Sequence, residues 1–300
     1  MEPASRPVAS LETRIRAQVS DLPATVAAAL ANPPPPQIRT SRAGGYDFRS
    51  RAWGDPAAPA LLLVHGVTAS SAIWWRVGPA LAATGRLVVA PDLPGHGKTA
   101  GSRGRHLFAE TAADLRAFCR AIDIDSEHLD VVGHSCGAMV SAALPAAGLV
   151  PRTLILIDPP SLPREFFERY IEDPEEQPYA DIRAAKVAIG AANPIWSDGD
   201  VEAKAEALTE FDVGAARAIV LDNTFDAGLA ALADPAAAVV PVWYIRGELA
   251  HGSLIPESVV PALAARAGAD HVLTIAEGPH SPQRTHPEAT VVAILRAIAG

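Results

Sequence analysis

The sequence predicts an α/β fold, a mostly parallel sheet doubly wound by helices, and three observations carry that expectation. Short apolar runs recur along the chain, such as the fully apolar Ala60–Val64 and the buried strand expected at Thr153–Ile157. Segments with helical spacing separate them, and Gly- or Pro-rich turns mark the joints. Strands without polar alternation are covered on both faces, and parallel neighbours need a helical crossover between them.

Taken in order, residues 11–31 are Ala-rich and moderately amphipathic, which predicts a helix with Pro23 as a possible break. Asn32 and the run Pro33-Pro34-Pro35-Pro36 then enforce an extended linker, so 1–36 reads as an N-terminal appendage. Segments 38–42 and 46–53 flank Gly44-Gly45, a hairpin signal. Buried strands are expected at 60–64, 87–90, 129–132, 153–157, 242–245 and 271–275, with a helix over 105–124. Residues 37–158 and 239–300 thus form the core. The stretch 159–238 has no clear strand and is rich in helix formers around 165–170, 184–190 and 202–209. A helical insertion between two strands sits over the carboxyl edge of the sheet, where such folds bind ligands, and is expected to act as a lid.

Composition narrows the function. With 49% hydrophobic and 20% charged residues the 300-residue chain can bury a large core. The net charge of −9 argues against sequence-independent nucleic-acid binding and against attraction to anionic lipid. Cys119 and Cys136 make no disulfide framework, and no Cys/His spacing suggests a metal, so no cofactor is expected. No apolar stretch reaches the ~18 residues of a membrane span. Charged Glu2, Arg6, Glu12, Arg14 and Arg16 precede any apolar run, unlike a secretory signal, so a cytoplasmic location is expected.

The chemistry centres on Gly133-His134-Ser135-Cys136-Gly137, set directly after the apolar 129–132 run and before the small, helix-compatible 138–144. This is G-x-S-x-G in its strand–turn–helix context, the nucleophile elbow. A serine hydroxyl is a weak nucleophile until a base takes its proton and donors stabilise the oxyanion it creates. A sharp turn lifts Ser135 above the sheet, and the flanking glycines keep the turn free of side chains that would crowd it.

Three further motifs accompany the elbow: His65-Gly66 after the third expected strand, Pro91-Asp92-Leu93-Pro94-Gly95-His96-Gly97 after the fourth, and Gly278-Pro279-His280-Ser281-Pro282 after the last. In their order and spacing the four make residues 37–300 resemble an α/β-hydrolase fold protein. The resemblance implies an oxyanion hole built from the backbone N–H of Cys136 and that of Val67. It implies His280 as the base, in the loop after the last strand. Only imidazole takes and returns a proton near neutral pH without extreme tuning. His65 and His96 then belong to structural turns, and the His134 side chain is expected to point away from Ser135. His106, His128, His251, His271 and His286 have no matching context and are expected mostly on the surface. With Ser135 at the elbow tip, the Cys136 thiol is incidental.

The third triad member departs from the usual pattern. The family places an aspartate after its seventh strand, but in Arg246-Gly247-Glu248-Leu249-Ala250-His251 the corresponding residue is Ala250. An imidazole without a partner would be poorly oriented, and its cation unsupported. Some members of the fold, including haloalkane dehalogenases and certain lipases and lactonases, carry the acid after the sixth strand instead. Here that position is Asp158. Glu248, whose longer side chain could compensate for a position two residues early, remains the alternative.

Ser135 is incompatible with the carboxylate nucleophile of dehalogenases and epoxide hydrolases, so an acyl-enzyme on serine is the expected cycle. Trp74, Trp75, Phe166, Phe167, Tyr170, Tyr179, Ile195 and Trp196 could line an apolar pocket beneath the lid. That favours a medium-sized, fairly hydrophobic ester or lactone. A carbon–carbon bond hydrolase, a perhydrolase and a non-catalytic ligand-binding member would share these motifs and stay open at this point.

Overall fold

The computed structural model describes residues 13–99, 101, 106–124 and 126–300. Among them one sheet holds β1 (Thr13–Ile15), β2 (Gln37–Ala43), β3 (Tyr46–Trp53), β4 (Ala60–Val64), β5 (Leu87–Pro91), β6 (Asp130–His134), β7 (Thr153–Ile157), β8 (Val242–Arg246) and β9 (Val272–Ile275). Their spatial order is β1-β9-β8-β7-β6-β4-β5-β3-β2. The β2–β3 hairpin turns at Gly44 and Gly45, both at positive φ, and β3 runs antiparallel to β5. All other pairings are parallel.

Side chains alternate across the sheet and build two cores. On one face Leu62, Val64, Val131, Leu154, Leu156 and Tyr244 pack against α3 (Phe108–Ala121), α4 (Cys136–Ala142) and α10 (Val260–Ala267). On the other, Leu61, Leu63, Val132, Ile155, Ile157 and Ile245 meet α1 (Ala24–Ala31), α2 (Val77–Ala82) and α12 (Pro287–Ala299). The short α11 (Pro282–Thr285) precedes α12. No helix of the described residues is long and apolar enough to cross a membrane.

The N-terminal segment differs from the helix expected over 11–31. Residues 11 and 12 lie outside the described residues, as do Glu2, Arg6 and Arg105. Thr13–Ile15 is a strand, because the open edge of β9 offers it a parallel partner: Thr13 pairs with Leu273 and Ile15 with Ile275. A single 3-10 turn follows at Val19–Asp21, and the α-helix is confined to Ala24–Ala31, starting directly after Pro23. Its Val26 and Leu30 join the core beside Trp53 and Leu81, so the segment is part of the sheet and its packing.

Between β7 and β8 lie α5 (Arg164–Tyr170), α6 (Ile182–Ala192), α7 (Asp198–Thr209), α8 (Val213–Asp222) and α9 (Leu229–Leu232). Asp181, Ser197 and Asp212 cap α6, α7 and α8 by accepting backbone N–H bonds. Two small apolar clusters, one around Ile189 and Leu208 and one around Phe167 and Val220, hold the insertion together. The strand order reverses beside β4, which lies between β5 and β6. At such a switch point the loops leaving two strands diverge and open a crevice. The loops after β4 and β6 carry Val67 and Ser135.

Candidate active site

Ser135 caps α4 with φ 56° and ψ −128°. A left-handed φ is rare outside glycine and marks a strained turn. Neighbouring backbone leaves no room for side chains: a Cβ on Gly137 would lie 2.3 Å from the His65 carbonyl oxygen, and one on Gly66 would lie 2.8 Å from Ser135 Cβ. The elbow therefore sits pressed onto the His65-Gly66 loop.

The structure brings Ser135, His280 and Asp158 together. Ser135 Oγ–H donates to His280 Nε2 across 3.0 Å, and His280 Nδ1–H donates to Asp158 Oδ2 across 2.7 Å. Asp158 is fully buried. Its Oδ1 accepts from Ser253 Oγ at 2.6 Å and from the Gly247 amide at 3.2 Å, and its Oδ2 accepts from the Leu254 amide at 2.8 Å. These donors satisfy both oxygens and hold the carboxylate in the orientation His280 needs. Glu248 is directed elsewhere: its carboxylate pairs with Arg14 of β1 and lies 4.0 Å from His251. Ala250 sits exposed in the turn Leu249–His251.

Val67 and Cys136 both line the cavity over Ser135. The Cys136 amide heads α4, where the first N–H groups have no partner inside the helix. The Val67 amide lies within hydrogen-bonding reach of the Cys136 thiol. Val67 and Cys136 thus both border the cavity at the elbow. Burial pushes the Cys136 thiol up to about 12, which suppresses the thiolate.

His65 is a buried strut, its Nδ1–H donating to the Gly66 carbonyl and its Nε2 accepting from the Leu93 amide. Burial lowers His65 to about 4 and His96 to about 3, so both stay neutral. His134 packs its ring 4.8 Å from that of His280, and its Nε2–H donates to the His280 carbonyl at 3.0 Å. Burial holds its pKa well below the ordinary value. One of the histidines expected at the surface is not there: His106 is buried, while half-buried His271 stacks on Trp243 at 3.8 Å.

The cavity has a volume of about 280 Å³ and opens onto Ser135 and His280. Of the aromatic residues expected around it, Phe166, Phe167, Tyr170 and Trp196 are present. Trp74 is buried in the core, and Trp75 reaches α7 through Nε1–H to Asp200. Tyr179 packs within the insertion, and Ile195 is exposed.

Sequence reading missed a buried polar group at the roof. Lys204 Nζ donates to the Thr68 carbonyl and hydroxyl, each at 3.1 Å, and to Glu176 at 2.5 Å. Arg284 lies beside it, over the Trp196 ring at 4.4 Å. No local motif announces these contacts, because they join α7, α11 and the β4 loop. Among the described residues no group of three or more His, Cys, Asp or Glu is arranged to hold a metal ion.

A family model described as "Alpha/beta hydrolase family" matches residues 61–294. The chain is 34% identical over 114 residues to a magnesium-chelatase 30 kDa subunit of Rhodobacter capsulatus, covering 38% of this chain and 39% of that one. It is 32% identical over 164 residues to lipase LipV of Mycobacterium tuberculosis, covering 51% and 58%. Each match thus spans well under two thirds of the relative's length. The crystal structure of an E-2-(acetamidomethylene)succinate hydrolase superposes with a TM-score of 0.74 at 21% identity, covering 88% of this chain and 99% of that one. At that identity the superposition speaks for the fold.

Proposed function

Because the chain belongs to the alpha/beta hydrolase family, we propose that it is a serine hydrolase cleaving a carboxylic ester or lactone through an acyl-enzyme on Ser135. The observation that carries this reading is the continuous hydrogen-bond line from Asp158 through His280 to Ser135. As substrate carbonyl carbon meets Ser135 Oγ, the hydroxyl proton passes to His280 Nε2. Asp158 supports the imidazolium and fixes the tautomer that leaves Nε2 free to accept. Charge collecting on the carbonyl oxygen is met by the Val67 and Cys136 amides, which need no reorganisation. His280 returns its proton to the departing alcohol, or to the ring oxygen of an opened lactone. Water then enters, gives a proton to the same nitrogen and attacks the acyl-enzyme, and Ser135 is released with its proton restored.

The helices over the site act as a cap. Ile73, Phe166, Phe167, Val220 and Leu254 offer apolar walls to the substrate chain. At about 280 Å³ the cavity is at the small end of ligand sites, roughly 300–1,000 Å³. That size favours a short or medium acyl group.

The test is a panel of p-nitrophenyl esters of rising acyl length, with small and large lactones, under rapid mixing. Esterase chemistry gives turnover of the shorter esters, and an acyl-enzyme ion by mass spectrometry with its mass increment on Ser135. Absence of turnover and of any acyl adduct across the panel would overturn the reading.

A further inference from the structure

At the roof of the cavity two cations, Lys204 and Arg284, line the wall with a single carboxylate, Glu176. Behind them half-buried Arg76 pairs with Asp200. Asp200 is fully committed: it takes Arg76 at 3.0 Å, Trp75 Nε1–H at 3.0 Å and Ser197 Oγ–H at 2.6 Å. Glu176 accepts from Lys204 and from Thr68 Oγ1, each at 2.5 Å. Arg284 makes no ion pair with a carboxylate of the described residues. It is 6% exposed, and its Nη1–H donates only to the Asp200 backbone carbonyl, at 3.0 Å.

A guanidinium so placed has lost most of its water without a carboxylate in contact, since Asp200 and Glu176 act on it only from a distance, and that is costly unless something else supplies the charge. The Trp196 face compensates in part. Arg284 also lines the cavity that holds Ser135 and His280, and it follows the His280 loop by a few residues. Its planar fork matches a carboxylate with two parallel hydrogen bonds.

Resting on the hydrolase reading above, we propose that the substrate carries a carboxylate as well as the scissile ester, and that Arg284 is its counter-ion. The substrate is then a half-ester of a short dicarboxylic acid, whose acyl part has its ester carbonyl at Ser135 and its free carboxylate at the roof. Lys204, already neutralised by Glu176, holds the Thr68 end of the oxyanion loop and does not compete for the ligand. The apolar walls contact the methylenes between the two ends. This narrows the fairly hydrophobic substrate expected from the aromatic residues to one that is apolar in its middle and anionic at its far end.

The test compares monoethyl glutarate with ethyl glutaramate, which replaces the free carboxylate by a neutral amide of the same shape. Wild-type protein should hydrolyse the anionic ester with a kcat/KM about 100-fold higher, the scale of a desolvated charge pair. In Arg284→Met that ratio should collapse toward one, and Arg284→Lys should restore part of it. A second readout needs no turnover: glutarate binding to wild-type protein by calorimetry should be at least tenfold tighter than glutaramide binding. Should Arg284→Met fail to fold, the two wild-type comparisons still decide. Equal kcat/KM for the two esters, with equal binding of glutarate and glutaramide, overturns the carboxylate subsite while leaving the hydrolase standing. Charge-selective glutarate binding without hydrolysis of any ester supports the subsite and overturns the hydrolase reading instead.

Discussion

His280 Nδ1–H donates to Asp158 Oδ2 across 2.7 Å, joining the loop after β9 to the end of β7. The two residues are 122 positions apart in sequence, and β8 with its following loop lies between them in the sheet. That loop completes the setting, since Gly247, Ser253 and Leu254 all donate to the same carboxylate. On the proposed mechanism the acid thus follows β7, and the segment after β8, where the resemblance would place it, serves as its scaffold.

Asp158→Asn should lower kcat/KM for a short p-nitrophenyl ester by about ten-thousand-fold, the scale of an amide replacing a triad carboxylate. Glu248→Gln should stay within a few-fold of wild type, because that side chain pairs with Arg14. The reverse ranking of the two variants would move the acid to Glu248.

Gly66→Ala places a methyl group 2.8 Å from Ser135 Cβ and 3.3 Å from its Oγ. The Ser135 elbow and the His65-Gly66 loop must then separate, and on the proposed mechanism a displacement near 1 Å costs about 100-fold in rate. Steady-state kinetics with a thermal melt checks this. A folded variant with wild-type kcat/KM would show that the close approach does not position the nucleophile.

Stability should fall on acidification below about pH 6.5, the unfolded pKa of histidine. His65 and His96 are held neutral when folded, with pKa values of about 4 and about 3. Between those values and 6.5 the unfolded chain binds more protons, so unfolding gains ground as pH drops. Each histidine removes about 3 kcal/mol by pH 4. Urea midpoints measured at pH 7, 5.5 and 4.5 should decline steadily, and a flat profile would contradict the assignment.

Cys136 stands next to the nucleophile, yet burial raises its thiol, like that of Cys119, to about 12. Iodoacetamide at pH 8 should leave both cysteines unmodified in the folded protein and alkylate both in urea. Rapid modification of Cys136 in the folded state would reopen a thiol nucleophile.

The sheet was legible from sequence wherever strands are buried on both faces, because such runs are apolar at every position. Ala60–Val64 carries that signature over its full length, and Thr153–Ile157 carries it from Leu154 onward. Thr13–Ile15 does not: three residues with a central arginine become a strand only through the edge of β9, so the alanine-rich context suggested a helix. The elbow, its histidine and the Val67 loop were readable because each is a turn with demanding local chemistry. Ser253 and the Lys204–Glu176–Arg284 group were not, since their meaning arises from contacts between distant segments. Trp74 shows the same limit: an aromatic residue after the β4 loop could face either ligand or core, and packing placed it in the core.

The central claim is that Ser135 is activated by His280, and covalent labelling by a fluorophosphonate tests it most directly. The adduct, located by peptide mass spectrometry, should fall on Ser135 in folded protein, and its rate of formation should drop at least a thousandfold in His280→Ala. An unlabelled Ser135, or labelling equally fast without the histidine, would contradict the account.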